Sequence, residues 1–234
     1  MLDILLISNF SMKEELAEAL SKRDCLLHDC LVQDIHHIER YPIDSEYKTI
    51  IIQSANAIKK IDSSNNHIYN TERVYGIGPN CKHWVEKKFG VNCTIPDKDY
   101  SSNGLIKKIE SDQYDLGKSL LLKGIGGKNI IKEYLKSRNI NFKICDVYER
   151  VLNKDNLERV KQKVAKGAVI IGFSKSSVEP LIADKSLDLK RLHFFVLNKS
   201  EEDIIDKKLV GSLTKIDDIY EVEQLAEKIS RVNG

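Results

Sequence analysis

A chain of 234 residues, 41% hydrophobic and 31% charged, is longer than one ordinary compact core needs and fits two globular domains of about 100 residues each. Its net charge of +2, with Lys and Arg interspersed among Asp and Glu, argues against nucleic-acid binding, and no apolar run approaches the roughly 18 residues of a membrane span. Cys25, Cys30, Cys81, Cys93 and Cys145 are odd in number and contain no CxxC pair, which is neither a disulfide framework nor a zinc signature.

Met1 leads straight into the apolar run LDILLIS (2–8) without a basic leader, which gives the expectation of a cytoplasmic protein. Leu16, Ala19 and Leu20 then keep a helical i, i+3/i+4 rhythm, and a second apolar run follows at 25–32. The segment LVQDIHHIERYPIDS (31–45) is rich in β-formers and reads as a strand. His36 and His37 sit side by side on it and face opposite sides, so they make a poor metal pair and are expected to be exposed. The runs TIIIQ (49–53), VYGIG (74–78), SLLLK (119–123), AVIIGF (168–173) and HFFVL (193–197) are continuously apolar rather than alternating. That pattern belongs to strands covered on both faces, hence to parallel α/β sheets. Trp84, after the GPNC turn (78–81), is expected to pack, and Ile130, Ile131, Tyr134 and Leu135 mark another helix. ICDVYERVLN (144–153) is a second strand-like crossing, and Lys199 to Asp206 reads as a solvated helix face.

The chain states this pattern twice. Residues 2–32 reappear in outline as 117–148, residues 49–61 echo 168–182, and residues 73–95 echo 192–214, each of the last pair followed by a short helical pattern. The order of the echoes predicts two similar lobes, one inserted into the other. Residues 1–32 and 154–234 form a discontinuous lobe, residues 46–143 form the inserted one, and 33–45 and 144–153 connect them as a two-stranded antiparallel hinge. The expected fold is therefore α/β, with two flavodoxin-like parallel-sheet lobes.

Parallel sheets bind ligands where strands turn into helices. Those turns read Ser8-Asn9-Phe10, Ser54-Ala55-Asn56, Gly78-Pro79-Asn80-Cys81, Gly124 to Lys128, Ser174 to Ser177 and Asn198-Lys199-Ser200. They hold neither a His-Asp-Ser set nor paired carboxylates, and they offer backbone N–H groups, hydroxyls and lysines, which suits an anionic ligand. Ser and Asn are equally the preferred caps of any helix, so each turn taken singly has a structural explanation too. GIGGK (124–128) lacks the spacing of a nucleotide phosphate loop.

Several of these pieces occur together in one family. Ile52 to Ala57, Ile77 to Cys81, Leu121 to Gly124, Asp146 to Glu149 and Phe173 to Ser176 stand in the order and spacing of the uroporphyrinogen-III synthases, which the chain resembles over nearly its whole length. It departs from them where Cys81 and Ser200 replace threonines, Leu197 replaces a glycine, and Ser8-Asn9 replaces an arginine. The resemblance implies that the chain binds hydroxymethylbilane, a linear tetrapyrrole with eight carboxylates, without a cofactor or metal. Loss of the hydroxyl gives an azafulvene; attack by ring D at its substituted carbon gives a spiro intermediate, which fragments and recloses with that ring inverted. The pyrroles supply the nucleophile, so the enzyme mostly binds and folds the substrate.

Carried onto this chain, the resemblance implies Tyr148 as the proton donor to the leaving hydroxyl, an aromatic packing residue being the competing role. It implies a substrate-binding set of Ser54, Ala55, Asn56, Gly78, Pro79, Asn80, Cys81, Gly124, Gly126, Gly127, Ser174, Lys175, Ser176, Lys199 and Ser200. It further implies a monomer whose contact with the preceding pathway enzyme is transient at most. The alternative class is a non-catalytic two-lobe binding protein, or a decayed synthase, for an anionic small molecule.

Overall fold

The structure, a computed structural model, describes residues 1–8, 10, 12–38, 46–59, 61, 68, 70–165, 168–173, 175–196, 205, 210–216 and 221–233. In chain order its strands and α-helices are β1 (Leu2–Leu6), α1 (Lys13–Ser21), β2 (Cys25–Asp29), β3 (Gln33–His37), β4 (Thr49–Ile52), α2 (Asn56–Lys59), β5 (Arg73–Gly76), α3 (Pro79–Phe89), β6 (Cys93–Thr94) and α4 (Ser102–Asp112). They continue as β7 (Ser119–Gly124), α5 (Ile130–Ser137), β8 (Phe142–Leu152), α6 (Lys154–Val164), β9 (Ala168–Gly172), α7 (Lys175–Ile182), β10 (Leu192–Val196), β11 (Ser212–Lys215) and α8 (Val222–Ser230).

The chain divides into two compact units, one of Met1–Asp34 with Val151–Gly234 and one of Ile35–Arg150. The first holds a five-stranded sheet in the order β11-β10-β9-β1-β2, all parallel. The second holds the order β3-β8-β7-β4-β5-β6. Omitting β3, both follow the flavodoxin pattern 2-1-3-4-5, with β7 and β8 in the places of β1 and β2, and β4 in the place of β9. The registers agree residue by residue. Ile4 lies opposite Val169 and Leu5 opposite Ile170, as Leu121 lies opposite Ile51 and Leu122 opposite Ile52. The echo read in the sequence is thus one topology used twice.

The sheet containing β3 is mixed, and its other four pairings are parallel, which makes β3 and β8 the antiparallel pair expected of the two crossings. The returning crossing is no separate ribbon, since β8 also runs parallel to β7 from Phe142 onward. Asn153 anchors the ends of the crossings: its N–H donates to Val32 O at 3.0 Å and its side-chain amide to Asp34 at 3.0 Å. Its Oδ1 also accepts from Asn156 N and so caps α6, while Asn156 donates to Leu31 O at 2.9 Å.

Continuous apolar runs are explained by what lies on each side of the sheets. In β1 and β9, Leu5 and Ile170 join one buried cluster with α6, while Ile4, Leu6, Val169 and Ile171 join another with α1 and α8. In β4 and β7, Ile50, Ile52, Leu120 and Leu122 face one cluster with α2 and α3, and Ile51 and Leu121 the other with α4 and α5. Leu16, Ala19 and Leu20 are buried as their spacing requires, and Trp84 packs half-buried against the core with Lys59 and Lys87 over its ring. Pro79 opens α3 and Gly90, at φ 66°, closes it in the left-handed conformation. His36 is exposed as expected, but His37 is half-buried, its ring 6.4 Å from that of Tyr148. The Lys199–Asp206 segment lies outside the described residues except Ile205, which is buried.

All five cysteines are free and buried. Burial pushes the thiol of Cys81 up to about 11, Cys145 to about 11 and Cys93 to about 12. Native protein at pH 8 should therefore leave these three unreacted toward an aromatic disulfide reagent on a timescale that suffices for denatured protein; rapid labelling of the native form would contradict their burial. The folded thiols keep protons that an unfolded chain releases near pH 9. Stability should be unaffected by them below that pH and fall as pH rises from about 9 toward 12, as followed by denaturant titration.

Candidate functional site

In the unit of residues 35–150, the strand order sets β8, β7, β4 and β5 side by side, with the carboxyl ends of β7, β4 and β5 in one row and Tyr148, within β8, facing Gly124 at the end of β7. The turns that follow three of them, and Tyr148 on the fourth, are the candidate residues of this half. After β4, Ser54 Oγ accepts from Asn56 N at 3.3 Å and Ser54 O from Ala57 N at 2.9 Å, which starts α2. The N–H groups of Ser54 and Ala55 have no partner among the described residues.

After β5, Gly78 O accepts from both Cys81 N and Lys82 N, and Tyr100 packs against the glycine, 3.1 Å from where a Cβ would stand. Pro79 brings no N–H. Cys81 points inward, 1% exposed among the side chains under β4, so this turn offers the amides of Gly78 and Asn80 and no thiol.

After β7 the loop Gly124–Lys128 is tied down by its carbonyls. Lys123, 6% exposed, donates from Nζ to Gly127 O at 2.9 Å and to Asn129 Oδ1 at 3.4 Å. Gln53 Nε2 donates to Lys128 O at 2.7 Å. The N–H groups of Gly126, Lys128 and Asn129 are unpaired among the described residues, and all three residues are exposed.

A bulge sets Tyr148. The pairing of β7 with β8 shifts after Lys123–Asp146, so Gly124 faces Tyr148 and both Val147 and Tyr148 turn inward. The ring lies over Gly124, where a Cβ would overlap Cζ, and Ile125 N donates to Tyr148 O at 2.9 Å. The phenol oxygen accepts from the Arg150 guanidinium at 3.0 Å, which leaves its own hydrogen available to donate. With 2% exposure, Tyr148 is a core residue of its unit.

The other unit is built differently at the equivalent ends. Ser8 Oγ accepts from Phe173 N at 2.8 Å and shares a 2.6 Å hydrogen bond with Ser177, both serines being buried. Phe10 stacks edge-on with Phe173 at 5.1 Å. Lys175 and Ser176 start α7, and their side chains, like the whole of Ser174, Lys199 and Ser200, lie outside the described residues. Of the candidate set, Ser54–Asn56, Gly78–Cys81, Gly124, Gly126, Gly127 and Tyr148 are therefore the ones brought together. Lys123, Gln53, Arg150 and Ser8 were not among them. Lysine at the end of an otherwise apolar strand was the visible signal for the first.

Among the described residues no group of three or more His, Cys, Asp or Glu side chains could hold a metal, and no helix is long and apolar enough to cross a membrane. The family profile described as uroporphyrinogen-III synthase HemD matches residues 14–193, well over half of the chain. The chain belongs to the uroporphyrinogen-III synthase family. The family is one of cyclising enzymes that act on hydroxymethylbilane.

Solved structures agree in fold. A mutant uroporphyrinogen III synthase of the extremely thermophilic bacterium Thermus thermophilus aligns over 100% of both chains with a TM-score of 0.64 at 11% identity. The wild-type enzyme of that bacterium gives 0.51 at 12% over 100% of this chain and 98% of its own. The uroporphyrinogen-III synthetase of Helicobacter pylori gives 0.54 at 13% over 97% of this chain and 99% of its own. Comparison with curated protein sequences found no match.

Gly124→Ala should cost about 1–3 kcal/mol of stability, because the new methyl group overlaps the Tyr148 ring. In a Tyr148→Ala background the same change should cost much less. Equal penalties by denaturant titration in both backgrounds would show that the ring is not the source.

Proposed function

We propose that this chain closes hydroxymethylbilane to uroporphyrinogen III, inverting ring D through a spiro intermediate and releasing water. The match of the family profile over residues 14–193 carries this reading. The turns after β4, β5 and β7 support it, because they present unpaired amides at Ser54, Ala55, Gly78, Asn80, Gly126, Lys128 and Asn129 among the described residues. Such donors suit a ligand with many carboxylates. A reaction whose nucleophile and electron push come from the substrate's own pyrroles asks the protein for positioning and for one proton donor.

In this reading Tyr148 is that donor, held by Arg150 through its oxygen lone pair with its hydrogen free. Ser54–Asn56, Gly78–Asn80 and Gly124–Gly127 hold carboxylates through the main chain, and Ser174, Lys175, Ser176, Lys199 and Ser200 are also read as substrate-binding residues. The inward thiol of Cys81 takes no part beyond packing.

The deciding experiment supplies enzymatically generated hydroxymethylbilane and separates product isomers by chromatography. The III isomer is expected. Only the spontaneously formed I isomer, from folded protein that still binds a porphyrin octacarboxylate, would make the chain a non-catalytic binding protein. Dialysis against a strong chelator should leave turnover unchanged, and a loss restored by one particular metal would overturn the cofactor-free mechanism. Tyr148→Phe should lower turnover about tenfold to a hundredfold while the melting temperature changes little. Wild-type turnover in that variant would assign Tyr148 to packing alone.

A further inference from the structure

Lys123 and Gln53 stand at one place in the topology: they follow the last core residues of β7 and β4, the two strands between which the strand order reverses. Ligands of open parallel sheets bind at that reversal. The repeat supplies a control within the same molecule. Aligned on the first pairs of β1 with β2 and of β7 with β8, and on the face each strand turns to the helix that follows it, the position of Lys123 is occupied in the other unit by Leu6 and that of Gln53 by Ile171. Leu6 and Ile171 are fully buried and belong to one hydrophobic cluster. The fold therefore asks for neither a cation nor an amide at these two places.

Both groups also cost stability where they stand. Lys123 makes no ion pair among the described residues, and its ammonium is compensated by two neutral oxygens only. Gln53 Oε1 is buried without a hydrogen-bond partner among the described residues, its orientation fixed because the amide nitrogen is the end that can donate to Lys128 O. What the pair achieves is specific. It holds the consecutive carbonyls of Gly127 and Lys128, and the amides left over, at 126, 128 and 129, belong to exposed residues.

We propose that Lys123 and Gln53 are positioning residues that hold the 124–129 loop with its free amides presented to one carboxylate of the substrate, Lys123 adding a buried positive charge behind that carboxylate. The proposal rests on the functional reading above, in which the ligand is a tetrapyrrole polycarboxylate. The two residues act differently, which gives them separate signatures. Lys123 contributes charge as well as geometry. Gln53 contributes geometry alone.

The test is fluorescence titration with uroporphyrin III at several ionic strengths, using wild type, Lys123→Met, Lys123→Arg and Gln53→Ala, with circular dichroism to select folded protein. Lys123→Met should weaken binding about tenfold and flatten the dependence of affinity on salt, and Lys123→Arg should restore the dependence. Gln53→Ala should weaken binding by a similar factor and leave the salt dependence as in wild type. Variants that melt earlier but bind with unchanged affinity and salt dependence would reduce both residues to structural props and overturn the proposal. Should Lys123→Met fail to fold, Gln53→Ala decides alone: wild-type affinity overturns the proposal and a tenfold loss supports it. Formation of the III isomer by wild type together with unaltered variants sinks this inference and spares the functional reading. Binding that depends on Lys123 in a protein forming no III isomer does the reverse.

Discussion

Burial of each sheet on both faces is the constraint from which the rest follows. Once Ile4, Leu5 and Leu6 or Leu120, Leu121 and Leu122 must all be apolar, because helices cover both sides of the strand, no side chain along the strand is left for chemistry. Polar function is confined to the carboxyl ends, where the chain leaves the sheet. There the backbone itself, freed from ladder pairing, becomes the most abundant hydrogen-bonding material. A family that handles an anionic substrate with few ionisable groups is a natural outcome of such an architecture.

The repeat makes visible which residues the fold requires and which it merely tolerates. At equivalent positions one unit uses Leu6 and Ile171 and the other Lys123 and Gln53, and β1 is followed by Ser8 bridging to Phe173 and Ser177 whereas β7 ends on Gly124 beneath an aromatic ring. Hydrophobic positions agree between the copies and turn positions diverge. Specialisation has therefore been written into the strand-to-helix turns, and the sheets have been left alone.

The sequence made the fold class legible because two signals reinforced each other: unbroken apolar runs such as TIIIQ and AVIIGF, and their recurrence in a permuted order. The candidate turns after β4, β5 and β7 were readable for the same reason, since they directly follow those runs. The setting of Tyr148 was not. It depends on a bulge opposite Gly124, and nothing in the spacing of DVYER announces that the alternation breaks between Val147 and Tyr148. Cys81 looked like a turn residue because Pro79 and Asn80 are, yet the first turn of α3 rotates it onto the core. Lys123 is visible in SLLLK only as the polar end of a strand. Its importance lies in two oxygens several residues ahead, which only the closed loop brings within reach.

The discontinuous unit also has a consequence for how the chain is made. Its interior strand β1 needs β9 as a neighbour, and β9 begins at Ala168, so a nascent chain emerging from the ribosome carries β1, α1 and β2 without their third strand while the whole of residues 35–150 is synthesised. At roughly 5–20 residues per second that interval is on the order of ten seconds. During it the apolar edge of Ile4, Leu5 and Leu6 has nothing to pair with, whereas the continuous unit can complete its own sheet as soon as β8 is out. Order of birth and order of assembly are thereby uncoupled: the segment translated first is among the last to find its place, and the interval before β9 arrives is when this protein most needs a chaperone.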